Sequence, residues 1–195
     1  MKKVFLIAFL AFFGIAQAQV TFRPGLRGGV NLSHFTKGDS YTYYDGIDYE
    51  RTERDFSSKT DFYLGFYGAL RLAKYYTLQP EFDYTRQGSK FTDFDGNKRQ
   101  LDISYLSMAI ANKFTFTDKF NIHFGPTIDF QVENNFDVDS DVDLAFFLGA
   151  GYNFNKNFGI EIRAKKGIIP VLDFSESSHT NVVFSLGATY TFDTK

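Results

Sequence analysis

Three stretches of the chain carry side chains whose types and spacing suit chemistry. His34 follows Ser33, and His179 follows Ser177 and Ser178; a hydroxyl beside an imidazole is the start of nucleophilic catalysis, which also needs an acid to orient the base. The run NNFDVDSDVD, Asn134 to Asp143, sets carboxylates at Asp137, Asp139, Asp141 and Asp143, alternate oxygen donors of the kind that hold a hard cation. YTYYDGIDY, Tyr41 to Tyr49, places Tyr41, Tyr43, Tyr44 and Tyr49 around an Asp45-Gly46 pair. Asp-Gly favours a hairpin turn, and tyrosine offers contact area and a hydroxyl at low entropic cost.

The first two stretches lack what their chemistry requires. His34, His123 and His179 fall on separate elements, and neighbours in sequence are not a triad in space, so no catalytic residue is assigned. An outer-rim enzyme acting on lipid or peptide through Ser177 or Ser178 with His179 stands as the alternative class. Counted from Asp137, an EF-hand loop needs Gly sixth and Glu twelfth, where the chain has Val142 and Leu148. The acidic run is read as a surface loop; no metal and no cofactor are expected. The tyrosines are the first candidates for contact with a protein or glycan partner.

Export is written at the start of the chain: Met1-Lys2-Lys3, an apolar run from Val4 to Ile15, and Ala16-Gln17-Ala18 together read as a secretory signal peptide. Cleavage after Ala18 leaves 177 of the 195 residues, a length for one domain, 19–195. There is no cysteine, which excludes disulfides, thiolate metal sites and a lipidated N-terminal cysteine. Without Lys2 and Lys3 the mature chain has 19 basic against 23 acidic residues, a net charge of −4, and no nucleic-acid partner is expected. Aromatic residues make up 19% of the chain, with 25 Phe, 12 Tyr and no Trp.

The elements that must position these residues show period two rather than helical spacing. Eight stretches alternate, as in Val182, Phe184, Leu186, Ala188, Tyr190 and Phe192 against Ser185, Gly187, Thr189 and Thr191. Alternation alone fits a soluble sandwich, a lipocalin-like cup or a membrane barrel, because it does not say which face is inside. The links decide: Ala73 to Tyr75, Thr115 to Lys119 and Asn155 to Asn157 are short, whereas the others are longer, above all Phe35 to Thr60. Short turns on one rim and long loops on the other predict an all-β, eight-stranded antiparallel up-and-down transmembrane β-barrel of the outer membrane.

In such a barrel the polar face is enclosed. Arg27, Arg71, Glu81, Asp83, Lys113, Asp129, Asp143, Glu161, Arg163 and Lys165 then form a mixed-sign lumen charge network, with glycines such as Gly65, Gly149 and Gly187 making room. A lumen this narrow is filled by side chains, so a diffusion pore is not expected; a narrow ion pathway is the third class. The apolar face meets outer-membrane lipid, with rings at the interfaces. Phe192, near the end of the last strand, resembles the final-strand aromatic by which the barrel-insertion machinery reads such proteins. The barrel is expected to be a monomer.

Several blocks also resemble, in order, the PorT-like outer-membrane β-barrel family: RGGVNLSHF, YTLQPEFDYTRQGSKF, ISYLSMAIANKF, FGPTIDF, FFLGAGYNF and IRAKKGIIPV, between Arg27 and Val171. The chain departs at Ala109, where that family usually has Pro. The resemblance implies an eight-stranded barrel in the outer membrane of a Gram-negative bacterium. Some relatives are tied to protein secretion or gliding machinery, but no residue-level function carries over.

Overall fold

The structure, a computed structural model, describes residues 20–36, 39–44, 48–53, 56–92, 97–117, 119–136, 138, 140–174 and 177–194, with the side chains of 39–44, 48–53, 172–174 and 177–178 left aside. The expected signal segment, the pair Asp45-Gly46, and Asp137 and Asp139 lie outside the described residues.

Eight long strands follow one another around a closed ring: β1 (Thr21–Phe35), β4 (Lys59–Ala73), β5 (Tyr76–Thr92), β6 (Lys98–Thr115), β7 (Phe120–Asn134), β8 (Val142–Asn153), β9 (Phe158–Gly167) and β12 (Asn181–Thr191). Every neighbouring pair is antiparallel, and β1 meets β12 from Gly25↔Thr191 to Phe35↔Asn181, which closes the wall and leaves no edge strand. Closure matters because lipid offers no hydrogen bonds to an open strand edge. Two ribbons stand apart from the ring: β2 (Asp39–Tyr44) with β3 (Asp48–Glu53), and β10 (Leu172–Phe174) with β11 (Ser177–His179). Both fall on the long-loop rim, between β1 and β4 and between β9 and β12. On the other rim only Lys74 and Tyr75 separate β4 from β5.

The alternation sorts cleanly into two surfaces. Leu26, Val30, Phe62, Leu64, Phe66, Leu148, Ile162, Phe184 and Leu186 are exposed on the outside, while Arg27, Asn31, Tyr63, Tyr67, Glu81, Asp129 and Glu161 are buried. A water-soluble protein would bury the first set and solvate the second; the inversion is what a hydrocarbon surround requires. Rings gather on the outer surface toward the short-turn rim, where Phe158 packs at a tilt against Tyr190 with centroids 4.7 Å apart and Tyr190 meets Phe192 edge-on at 5.0 Å. Phe192 N–H donates to the Pro24 carbonyl at 2.8 Å, so the end of the chain is tied to its beginning.

Candidate functional site: the filled lumen and its two ends

The middle of the lumen is an ion cluster. Arg27 donates from Nη1 to Glu81 Oε2 and to Asp83 Oδ2, both at 2.6 Å, and from Nε to Glu161 Oε1 at 2.9 Å. Arg163 grips Glu81 with both terminal nitrogens, at 2.6 and 2.8 Å, and reaches Glu161 Oε2 at 3.1 Å. Tyr63 and Gln79 add hydrogen bonds to Glu161 and Glu81, at 3.2 and 2.7 Å. Each carboxylate that loses water here gains a guanidinium whose planar fork matches it, the condition under which buried charge is tolerated. Arg163 Nε also donates to His123 Nε2 at 3.0 Å, and His123 Nδ1 lies 3.1 Å from Asn121 Oδ1. An imidazole that accepts at Nε2 carries its proton on Nδ1 and is neutral.

Glycines make these reaches geometrically available. Arg27 and Asp83 sit on strands separated by β4, and the residue between them in register is Gly65. A Cβ there would overlap the Asp83 carboxylate and the Phe82 carbonyl. Gly149 likewise lies between Arg163 and His123, and a Cβ on it would collide with both side chains. Gly187, paired with Glu161, leaves space for the Tyr63 hydroxyl.

The remaining charges expected in the lumen separate by depth. Lys165 pairs with Asp129, which also accepts from Thr127 at 2.6 Å. Asp143 is buried and accepts from Asn181 at 3.4 Å, so it points into the barrel rather than out from the acidic loop. Arg71 is not part of the central cluster: it is exposed at the short-turn end, where it donates to the Lys74 carbonyl at 2.8 Å. Alternation assigned Arg71 to the right face, but face does not fix height along the barrel, and Arg71 is only three residues from the turn.

Toward the long-loop rim the lumen turns apolar. Phe35, Phe56, Ile103, Tyr105 and Val171 form a buried cluster, with Phe91, Leu101, Phe136 and Val138 packed against it. His179 is buried in this cap, edge-on to Phe56 at 5.0 Å, with Nδ1 2.6 Å from the Thr36 carbonyl oxygen. Beside the cap, Lys59 is buried between Asp61 and Asp102, its ammonium 2.6 Å from Asp102 Oδ1. Neither the cap nor Lys59 belongs to the lumen network expected from the sequence: alternation places Tyr105 on the enclosed face but not its partners Phe56 and Val171, which lie between strands. Beside the ion cluster lies a cavity of about 50 Å³, lined by Arg27, Asp83 and Arg163 together with Thr85, Phe147 and Val183, room for one or two water molecules.

Tyr41, Tyr43, Tyr44 and Tyr49 all fall on the β2–β3 ribbon, with Tyr43 opposite Tyr49 and Tyr44 opposite Asp48 in backbone register; their side chains lie outside the described residues. Ser177 and Ser178 lie on β11, with side chains equally outside. His34 is on β1, one residue from Phe35 and so on the opposite face from it. Among the described residues no group of His, Asp and Glu is arranged to hold a metal ion.

With the geometry in place, comparison with known proteins is direct. Residues 16–173 match the model of the outer membrane protein beta-barrel domain. No curated protein matches the chain. Among solved structures, Neisserial surface protein A is 10% identical, covering 87% of this chain and 97% of that one at a TM-score of 0.56. The outer membrane protein OprG from Pseudomonas aeruginosa is 15% identical, covering 90% and 98% at a TM-score of 0.56. At such identities the likeness is one of fold. A closed eight-strand ring that turns its apolar face outward, carried by a sequence that matches the family model over most of its length, makes this chain a member of the outer membrane protein beta-barrel domain family.

Proposed function

We propose that this chain is a non-enzymatic surface protein of the outer membrane of a Gram-negative bacterium, a rigid monomeric barrel that holds its extracellular ribbons out to a protein or glycan partner. The observation that carries the reading is the filled lumen: an ion cluster occupies its middle and an aromatic cap its long-loop end, with a cavity of about 50 Å³ beside the cluster, so the material invested in the molecule is wall and outer rim rather than a passage. The β2–β3 ribbon, six residues a side and apart from the ring, is the longest element on that rim among the described residues. The ordered blocks resembling the PorT-like family support the same compartment and architecture. His179, held against Phe56 and a backbone carbonyl, is poorly placed as a general base, which favours this reading over an outer-rim enzyme.

The test is capture. Barrels in nanodiscs bearing Tyr41→Ala, Tyr43→Ala, Tyr44→Ala and Tyr49→Ala together are compared with the parent on immobilised glycans and extracellular proteins. The account expects capture by the parent and its loss in the variant, with heat-dependent gel mobility, the mark of a folded barrel, unchanged in both. Equal capture by the two would discard the tyrosine ribbon as the contact surface.

A further inference from the structure

At the end of the lumen opposite the aromatic cap, the barrel opens into a cavity of about 430 Å³, within the range of small-molecule sites. Five basic side chains line it, Arg23, Arg71, Lys113, Lys119 and Lys156, and among the described residues no carboxylate does. This concentration runs against a chain whose formal net charge is −2. A concave wall of low-dielectric protein focuses the field of like charges and raises the local concentration of counter-ions.

Internal partners neutralise only part of this charge. Asp193, just beyond β12, bridges Arg23 at 3.0 Å and Lys156 at 3.1 Å at the rim. Arg71 spends one N–H on the Lys74 carbonyl, and among the described residues no carboxylate pairs with it. Lys113 is the deepest: it is half-buried, flanked in register by Thr77 and His123, and no hydrogen bond or ion pair reaches its ammonium among the described residues. Hydrogen-bonding groups share the wall, including the Tyr67 hydroxyl, paired with Thr191 at 2.6 Å.

We propose that this basal cavity binds a small phosphate-bearing polyanion that enters from the periplasmic side. Phosphate offers several charged acceptor oxygens to an Arg and Lys set of this kind, each contact a charge-assisted hydrogen bond. The phosphate has two sources, a soluble ester of the periplasm or the headgroup of an inner-leaflet phospholipid at the rim. The site is independent of the extracellular ribbons and stands whether or not they capture a partner.

The experiment titrates inorganic pyrophosphate into the barrel in phosphatidylcholine nanodiscs, followed by calorimetry at low and high salt. Expected is saturable one-site binding that weakens as salt rises and weakens about ten-fold in Lys113→Gln, the loss of one charge-assisted contact. Lys119→Gln, at an exposed turn position, gives the same reading should Lys113→Gln fail to fold. In nanodiscs containing phosphatidylglycerol, loss of pyrophosphate binding supports the site and assigns the phosphate to lipid headgroups; unchanged binding supports it and assigns the phosphate to a soluble ester. No saturable binding by the parent, or equal affinity in a folded Lys113→Gln/Lys119→Gln variant, overturns the proposal.

Discussion

At the scale of single residues the lumen is held by compensation. Glu81 is gripped by Arg27 and Arg163 together, so removing one cation leaves buried negative charge without an equal partner. Arg163→Met is expected to destabilise the barrel by about 3–5 kcal/mol, and adding Glu81→Gln to recover part of that loss. With no Trp in the chain, urea unfolding is best followed by circular dichroism or gel mobility. A second prediction concerns room rather than charge. Gly65→Ala would press a methyl group into the Asp83 carboxylate and the Phe82 carbonyl, at a cost of about 1–3 kcal/mol in the same assay. Most members of the cluster were legible as charges on one face, and so was the need for small residues beside them. What the sequence withheld was pairing: Arg27 meets Asp83 across β4 only because the stagger of three strands sets Gly65 between them, and stagger is a property of the closed ring.

At the scale of the strand, period two assigned faces correctly but not heights. Arg71 and Arg163 share the enclosed side, yet one sits at the open basal end and the other in the ion cluster. Apolar residues on the enclosed side were the other blind spot; Phe147, in phase with Asp143 and Gly149, packs there with Ala109 and Ala111 and lies under the Arg163 guanidinium at 4.6 Å, a contact that alternation gives no sign of. On the outer side the expectation is simple. Leu186, mid-way along β12 and exposed, faces hydrocarbon, so Leu186→Arg should cost about 2–4 kcal/mol of folding free energy in vesicles. The strand's end has its own titration. Asp193 lies outside the spanning segments, and the hydrogen bond from Lys156 holds its carboxyl below the usual aspartate range. A depressed carboxyl stabilises the fold above its unfolded pKa of about 4 and loses that contribution as pH falls through the lower folded value. The Asp193→Asn variant and the parent should therefore differ slightly in urea midpoint at neutral pH and converge in strong acid; a difference that persists there would dissociate the bridge from stability.

For the whole molecule, loop asymmetry and an outward apolar face define the barrel, and both were readable because the face recurs in eight strands and long and short links alternate along the seven connections between them. The filling of its interior was not, since the cap of Phe35, Phe56, Ile103, Tyr105 and Val171 assembles from the outer ends of strands and from the segments between them. That filling predicts no steady conductance in a planar bilayer, and discrete open-channel steps from the parent protein would contradict it. The central claim, that the phenylalanine-rich surface meets lipid and the charged one is enclosed, has a direct test, made convenient by the absence of native cysteine. Single cysteines at Val183, Phe184, Ser185, Leu186 and Ala188 on β12, each bearing a nitroxide label in nanodiscs, report access to oxygen dissolved in the bilayer. The account predicts high access at Phe184, Leu186 and Ala188 and low access at Val183 and Ser185; uniform access, or the opposite alternation, would contradict it.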